Sequence, residues 1–303
     1  MSYSQLTNDM SIHYQQQGSG PIPIIFIHGN FGSWRHWLPC FDNLPRQYTA
    51  YAPDLRGCGN SQVTDNGYDI ETLSQDIQQL ADNLQLDKFH LVGHSLGGAV
   101  AQELAGNHPE RIITLTLVAP APAEGMASLQ KLSTKDTPFS AKNIWTFFDN
   151  IGLRERIHTM SFKKTMPGLR NNQPFLNMIV EDALKMDTKA FEGFLKTLKS
   201  WRGTKYLKNF NFPVLIMHGE LDSVIPLQAL KNMQQAIDNC QFYSLRNIGH
   251  SPQLEKPKTF NKVLFSFLSD NHLLPTIDDA PPPKQKSLIE KLKLKLKNIL
   301  NFN

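Results

Sequence analysis

The sequence predicts an α/β fold on a mostly parallel sheet, and three observations carry that expectation. Six short apolar runs recur along the chain, each ending in a loop with Gly, Pro, Asp or His. Helical patterns alternate with those runs, which is the order of a parallel sheet with crossover helices. Between 121 and 205 the strand-like runs stop altogether, so a helical insertion is expected there between two core strands.

The first run, IPIIFIHG (22–29), is isoleucine-rich and ends in glycine, as suits a strand buried on both faces. The runs YTAYAPDLRG (48–57), KFHLVGHS (88–95), ITLTLVAP (113–120), FPVLIMHGE (212–220) and CQFYSLRNIGH (240–250) repeat the pattern. The clearest intervening helix carries Ile70, Leu73, Ile77, Leu80 and Leu84 on one face, at spacings of three and four. Within the insertion, Trp145, Phe147, Phe148, Phe162, Phe175, Phe191, Phe194 and Trp201 recur among helix-forming residues. A core over 1–120 and 206–270 therefore surrounds an insertion over 121–205. Beyond it, LPTIDDAPPP opens a proline-rich linker over 271–286, and a basic amphipathic segment occupies 287–303.

Composition narrows the function classes. A chain of 303 residues with 40% hydrophobic content buries a large core. Cys40, Cys58 and Cys240 lack the spacing of a zinc site or a disulfide framework, which points to a reducing compartment. MSYSQLTNDM has no basic stretch leading into an apolar one, and no run approaches the length of a membrane span, so a soluble cytoplasmic chain is expected. The net charge of +4 is uneven: 121–205 holds 14 Lys and Arg against 8 Asp and Glu, 271–303 holds 6 against 3, and the remainder is acidic. No metal-ligand cluster, Walker loop or GxGxxG after a strand is present, so no cofactor, metal or nucleic-acid partner is expected.

Ligand sites in such sheets lie beyond the carboxyl ends of the strands, where the motifs of this chain fall. GHSLG satisfies GxSxG, with an apolar strand running in and a helical pattern running out. Such a reversal forces its central residue into a strained conformation, and small neighbours let it close. Ser95 would then stand exposed at the positive end of the helix dipole. A serine hydroxyl needs a base, and the base needs an acid to orient it. His250, in the loop after the last core strand, is the candidate base, and Asp222 in HGELDSVIP the candidate acid. The backbone N–H of Leu96 would be one oxyanion donor. Asn30 in HGNFGSW is favoured as the other, with Phe31 the near alternative. His13, His36, His90, His108, His158 and His272 are read as surface or core histidines. His28 and His94 are equally read as ties between loops.

With these residues assembled, the chain resembles the α/β-hydrolase fold family, in the subgroup of serine hydrolases with a helical cap. The resemblance covers about 10–270 and rests on HGNFGSWRHW, APDLRGCGNS, GHSLGG, HGELDSVIP and GHSPQLEKP, in the family's order. It implies Ser95 as nucleophile, Asp222 as acid, His250 as base, Leu96 with Asn30 or Phe31 as oxyanion hole, and a structural role for Asp54, Arg56, Gly57 and Gly59. Relatives acting on epoxides or haloalkanes use aspartate where Ser95 stands. Serine implies acyl chemistry on an ester, lactone or thioester, as in carboxylesterases and lipases. The same triad also serves carbon–carbon bond hydrolases and cofactor-free lyases, and a non-catalytic binding protein on this scaffold is the alternative from another class. The insertion, roofing the site with aromatics, implies an apolar acyl substrate. In the tail, Leu288, Ile289, Leu292, Leu296, Ile299 and Leu300 share a helical face while Lys291, Lys293, Lys295 and Lys297 lie on or beside the other. That pattern leads to an expectation of peripheral association with an anionic inner membrane surface.

Overall fold

The computed structural model describes residues 2–7, 9–126 and 152–270. The expected linker and basic tail, and Trp145, Phe147 and Phe148, lie outside the described residues. Eight strands, β1 (Ser2–Gln5), β2 (Ser11–Gly18), β3 (Ile22–Ile27), β4 (Tyr48–Pro53), β5 (Phe89–His94), β6 (Ile112–Val118), β7 (Val214–Gly219) and β8 (Cys240–Leu245), form one sheet in the order β1-β2-β4-β3-β5-β6-β7-β8. From β4 to β8 every pairing is parallel, and β1 and β2 add an antiparallel edge.

The apolar runs are continuous because the central strands feed two cores. Along β3, Ile25 and Ile27 enter the core under one face while Ile24 and Phe26 enter that under the other. Along β7, Val214 and Ile216 alternate with Leu215 and Met217 in the same way. Helix α1 (Leu38–Phe41) and α9 (Pro257–Asp270) cover one face, while α2 (Ile70–Asn83) and α3 (Leu96–Asn107) cover the other. Helix α2 starts where Asp69 accepts the Thr72 N–H at 2.8 Å, a side-chain cap on an orphan donor. The strand β2, SIHYQQQG, between β1 and β4, was not among the expected six runs: its Gln15–Gln16–Gln17 stretch is polar and increasingly exposed, and backbone pairing to β4 is what orders that stretch.

Between β6 and β7 the described part of the insertion is helical: α4 (Arg154–Thr165), α5 (Gln173–Lys185) and α6 (Thr188–Ser200). Phe162, Met166, Leu169, Leu176 and Ile179 form its own core, which reaches Leu254 of α8 (Pro252–Glu255) and borders Phe31. Helix α7 (Leu227–Ala236) follows β7, directly after Pro226. No helix among the described residues is long and apolar enough to cross a membrane.

Asp54 and Arg56, expected to be structural, are fully engaged in the loop after β4. Asp54 takes His13 Nδ1 at 2.7 Å, the Trp34 N–H at 2.7 Å and the Asn60 N–H at 2.9 Å. Arg56 pairs with buried Asp76 through two bonds of 2.6 and 2.7 Å. The cysteines are free: Cys40 and Cys58 are buried and Cys240 is half-buried.

Several histidines are enclosed without a carboxylate partner. Burial pushes His90, bonded to Thr114 Oγ1 at 2.8 Å, down to about 4, and His94 down to about 3. Such groups stay neutral in the folded chain and take up protons once unfolded, so their contribution is complete above about 6.5 and is lost as pH falls towards the folded values. The midpoint of urea unfolding should therefore drop between pH 6.5 and pH 4. A flat profile over that window would contradict this burial.

Candidate active site

Ser95 occupies the turn from β5 into α3, with φ 53° and ψ −117°, a left-handed conformation rare for a side-chain-bearing residue. Backbone bonds hold it there: the Ser95 N–H donates to Val118 O at 3.0 Å, and the Ala121 N–H donates to Ser95 O at 2.9 Å. The turn closes because Gly97 has no side chain, since a Cβ there would fall against the backbone oxygens of Ile27 and His28. Gly29, in the loop after β3, presses on the same turn, and a Cβ on it would lie 2.9 Å from that of Ser95. Loop and serine are thus in contact, with the positive end of α3 directed at Ser95.

Two neighbouring strand ends supply the other candidates. Asp222 lies in the turn after β7, where its Oδ1 accepts the Val224 N–H at 2.7 Å and the Ile225 N–H at 3.1 Å. Its Oδ2 meets His250 Nδ1 at 2.9 Å. Burial alone would raise this carboxyl, but the bond to His250 and the two backbone donors outweigh it and hold the pKa below the ordinary carboxylate value. An ionised carboxylate only accepts, so His250 carries its proton on Nδ1 and presents a lone pair at Nε2. The Ser95 hydroxyl lies 3.0 Å from that nitrogen and donates to it. The three residues singled out in the sequence therefore form one unbroken chain, Asp222 to His250 to Ser95.

The candidate oxyanion donors are distinguished by their bonding. The Phe31 N–H is already spent on Asn30 Oδ1 at 3.0 Å, whereas the backbone N–H groups of Asn30 and Leu96 have no hydrogen-bond acceptor among the described residues. The Phe31 ring packs on His158 at 5.1 Å and Phe191 at 5.2 Å, bringing insertion side chains to the edge of the site. His28 and His94 tie loops: His28 Nδ1 donates to Gly29 O at 2.7 Å while its Nε2 accepts the Leu55 N–H at 2.9 Å, and His94 Nε2 donates to His250 O at 2.9 Å.

Two carboxylates in this region were not picked out as site residues in the sequence. Glu255 accepts the N–H groups of Gly249 and Ser251, on either side of His250, and of Gly168 in the insertion, each at 2.9 Å. Burial raises its pKa against the pull of those three donors. Asp182 of α5 takes Ser33 Oγ at 2.8 Å and Arg35 at 3.0 Å, clasping the loop that carries Asn30. Glu255 sits within GHSPQLEKP, whereas nothing local marks Asp182.

The sharp turn bearing Ser95 on this sheet, with Asp222 after β7 and His250 after β8, defines the class, and the family model for the alpha/beta hydrolase fold matches residues 22–257. The chain belongs to the α/β-hydrolase fold family. It is 26% identical over 258 residues to the dihydrolipoyllysine-residue acetyltransferase component of the acetoin cleaving system of Cupriavidus necator, covering 84% of this chain but only 65% of that relative. It is 25% identical to 2-hydroxy-6-oxononadienedioate/2-hydroxy-6-oxononatrienedioate hydrolase 1 of Pseudomonas putida, covering 86% of this chain and 93% of the relative. In fold it matches an esterase from Exiguobacterium antarcticum with a TM-score of 0.75 at 20% identity, over 88% of this chain and 98% of the other.

Glu255→Ala should leave three backbone donors without an acceptor, at a cost of roughly 2–4 kcal/mol. The measurement is chemical denaturation. A change under roughly 0.5 kcal/mol would mean that solvent satisfies those groups and that the carboxylate holds nothing.

Proposed function

We propose that this protein is a serine hydrolase acting on an ester, lactone or thioester of an apolar acyl group, through an acyl-enzyme on Ser95. The observation that carries the reading is the continuous relay of 2.9 and 3.0 Å contacts from Asp222 through His250 to Ser95. In the first half-reaction Ser95 Oγ attacks the acyl carbon as its proton passes to His250 Nε2. The imidazolium so formed is stabilised by Asp222. Negative charge on the carbonyl oxygen is met by the free N–H groups of Leu96 and Asn30. Collapse expels the alcohol or thiol, which leaves with the proton from His250. Water then gives a proton to Nε2, attacks the acyl carbon and releases the acid, and the proton returns to Ser95 Oγ.

In this reading the described helices of the insertion, α4 to α6, roof the site. Phe31, Phe162 and Phe191, grouped where insertion meets oxyanion loop, supply the apolar wall that an acyl chain or ring requires. The likeness to the Pseudomonas putida hydrolase over most of both chains supports a second reading, carbon–carbon bond hydrolysis by the same relay. Turnover of a panel of nitrophenyl esters, lactones and vinylogous diketones separates the two.

Ser95→Ala should abolish nitrophenyl ester turnover, with kcat falling by roughly three orders of magnitude or more and the unfolding midpoint unchanged. Retained turnover in verified mutant protein would sink the acyl-enzyme. Asp222→Asn should lower kcat strongly with a small effect on KM, because the lost interaction grows as imidazolium forms. Wild-type kinetics in that variant would assign the orienting role to another group.

A further inference from the structure

Helix α4 has two unlike faces. Its inner face carries buried His158 and Phe162 against the Phe31 ring, and its last residue, Thr165, accepts the His250 N–H at 2.9 Å. Turned the other way, at spacings of three and four, stand Leu153 just before the helix, then Arg156, Ile157, Met160, Lys163 and Lys164. Met160 is 62% exposed and Leu153 37%, conspicuous values for large apolar side chains. Glu155, the helix's acidic residue, falls outside this face by helical spacing.

Some surface cations elsewhere are held in ion pairs. Arg35 pairs with Glu181, Arg111 with Asp82 and Lys189 with Asp65. Arg156, Lys163 and Lys164 have no carboxylate within ion-pair distance among the described residues, and Arg170, bonded through Nε to Lys163 O, adds a further positive charge at the helix end. Unpaired cations on long apolar stems around an exposed methionine suit a layer of phosphate headgroups above acyl chains. The 33 residues beyond α9 include the lysine-rich, leucine-rich stretch 287–303. Two separate parts of the chain thus share one charge sign and one mixture of residue types.

We propose that the outer face of α4 docks on an anionic lipid bilayer, Met160 and Leu153 entering the interface and Arg156, Lys163, Lys164 and Arg170 meeting phosphates. The helix that touches lipid is then the helix that packs on Phe31 and bonds the His250 loop. An acyl ester residing in the bilayer is the substrate class this favours, a consequence that rests on the serine-hydrolase reading, whereas docking itself does not.

The test is sedimentation of full-length protein with phosphatidylcholine vesicles, with and without phosphatidylglycerol, at low and high salt. Binding is expected only with the anionic lipid, and salt should release it. The variant Met160→Asp with Lys163→Glu and Lys164→Glu should bind about tenfold or more weakly while hydrolysing a soluble short ester at the wild-type rate. Lys163→Gln with Lys164→Gln, a milder pair, should weaken binding in the same direction. A protein truncated after Asp270 should retain salt-sensitive binding through α4. Absence of binding to anionic vesicles at low salt overturns the proposal, as do wild-type binding by the α4 variants and complete loss of binding on truncation. Vesicle binding by Ser95→Ala is expected to equal that of the wild type, so docking and acyl chemistry fail independently.

Discussion

The left-handed conformation at Ser95 is the constraint to which the rest of the site is fitted. A residue with a side chain at φ 53° carries a strain of about 1–3 kcal/mol, and it persists because its surroundings leave no alternative. Val118 O and the Ala121 N–H fix its backbone from the adjacent strand end, and the oxygens of Ile27 and His28 stand where a side chain at Gly97 would be. Continuous burial of β5 makes the arrangement stiff. Relaxing the turn would pull α3 from the sheet, so the sheet's burial supports the position of the Ser95 hydroxyl.

Given that fixed hydroxyl, strand order brings the other groups to it. With β5, β6, β7 and β8 side by side and parallel, the loops after β7 and β8 open on the same edge as the turn at Ser95. Asp222 serves twice: one oxygen closes its own turn on Val224 and Ile225, and the other faces His250. Because the turn-closing bonds set the carboxylate's direction, the residue holding the loop also aims the imidazole. Glu255 extends this logic outward by joining the backbone on both sides of His250 to Gly168. Asp182 does the same for the loop bearing Asn30. The loops bearing His250 and Asn30 are therefore each fastened to the insertion by one carboxylate.

Much of this was legible in the sequence because its signals are local. A β-strand buried on both faces writes an uninterrupted apolar run, and a reversal at Ser95 writes small residues around it. Chain order then placed Asp222 and His250 after the last two such runs. What escaped is tertiary. The run-based reading passes over β2, since Gln15, Gln16 and Gln17 bear no apolar pattern and the strand exists through its ladder with β4. Asp182 looks like any charge on a helix until Ser33, 149 positions away, is folded against it. Which of the candidate donors Asn30 and Phe31 keeps its N–H open likewise depends on which N–H the Asn30 side chain consumes.

The three cysteines carry a practical consequence. Burial drives the Cys40 and Cys58 thiols well above the ordinary range and Cys240 to about 12, so at neutral pH the folded chain offers almost no thiolate to an alkylating reagent. The native thiols thereby give a low background for maleimide chemistry. A pair of cysteines introduced at exposed positions, one on the core and one on the insertion, would take the labels, and the distance between the two parts becomes measurable in solution without first removing any native sulfur.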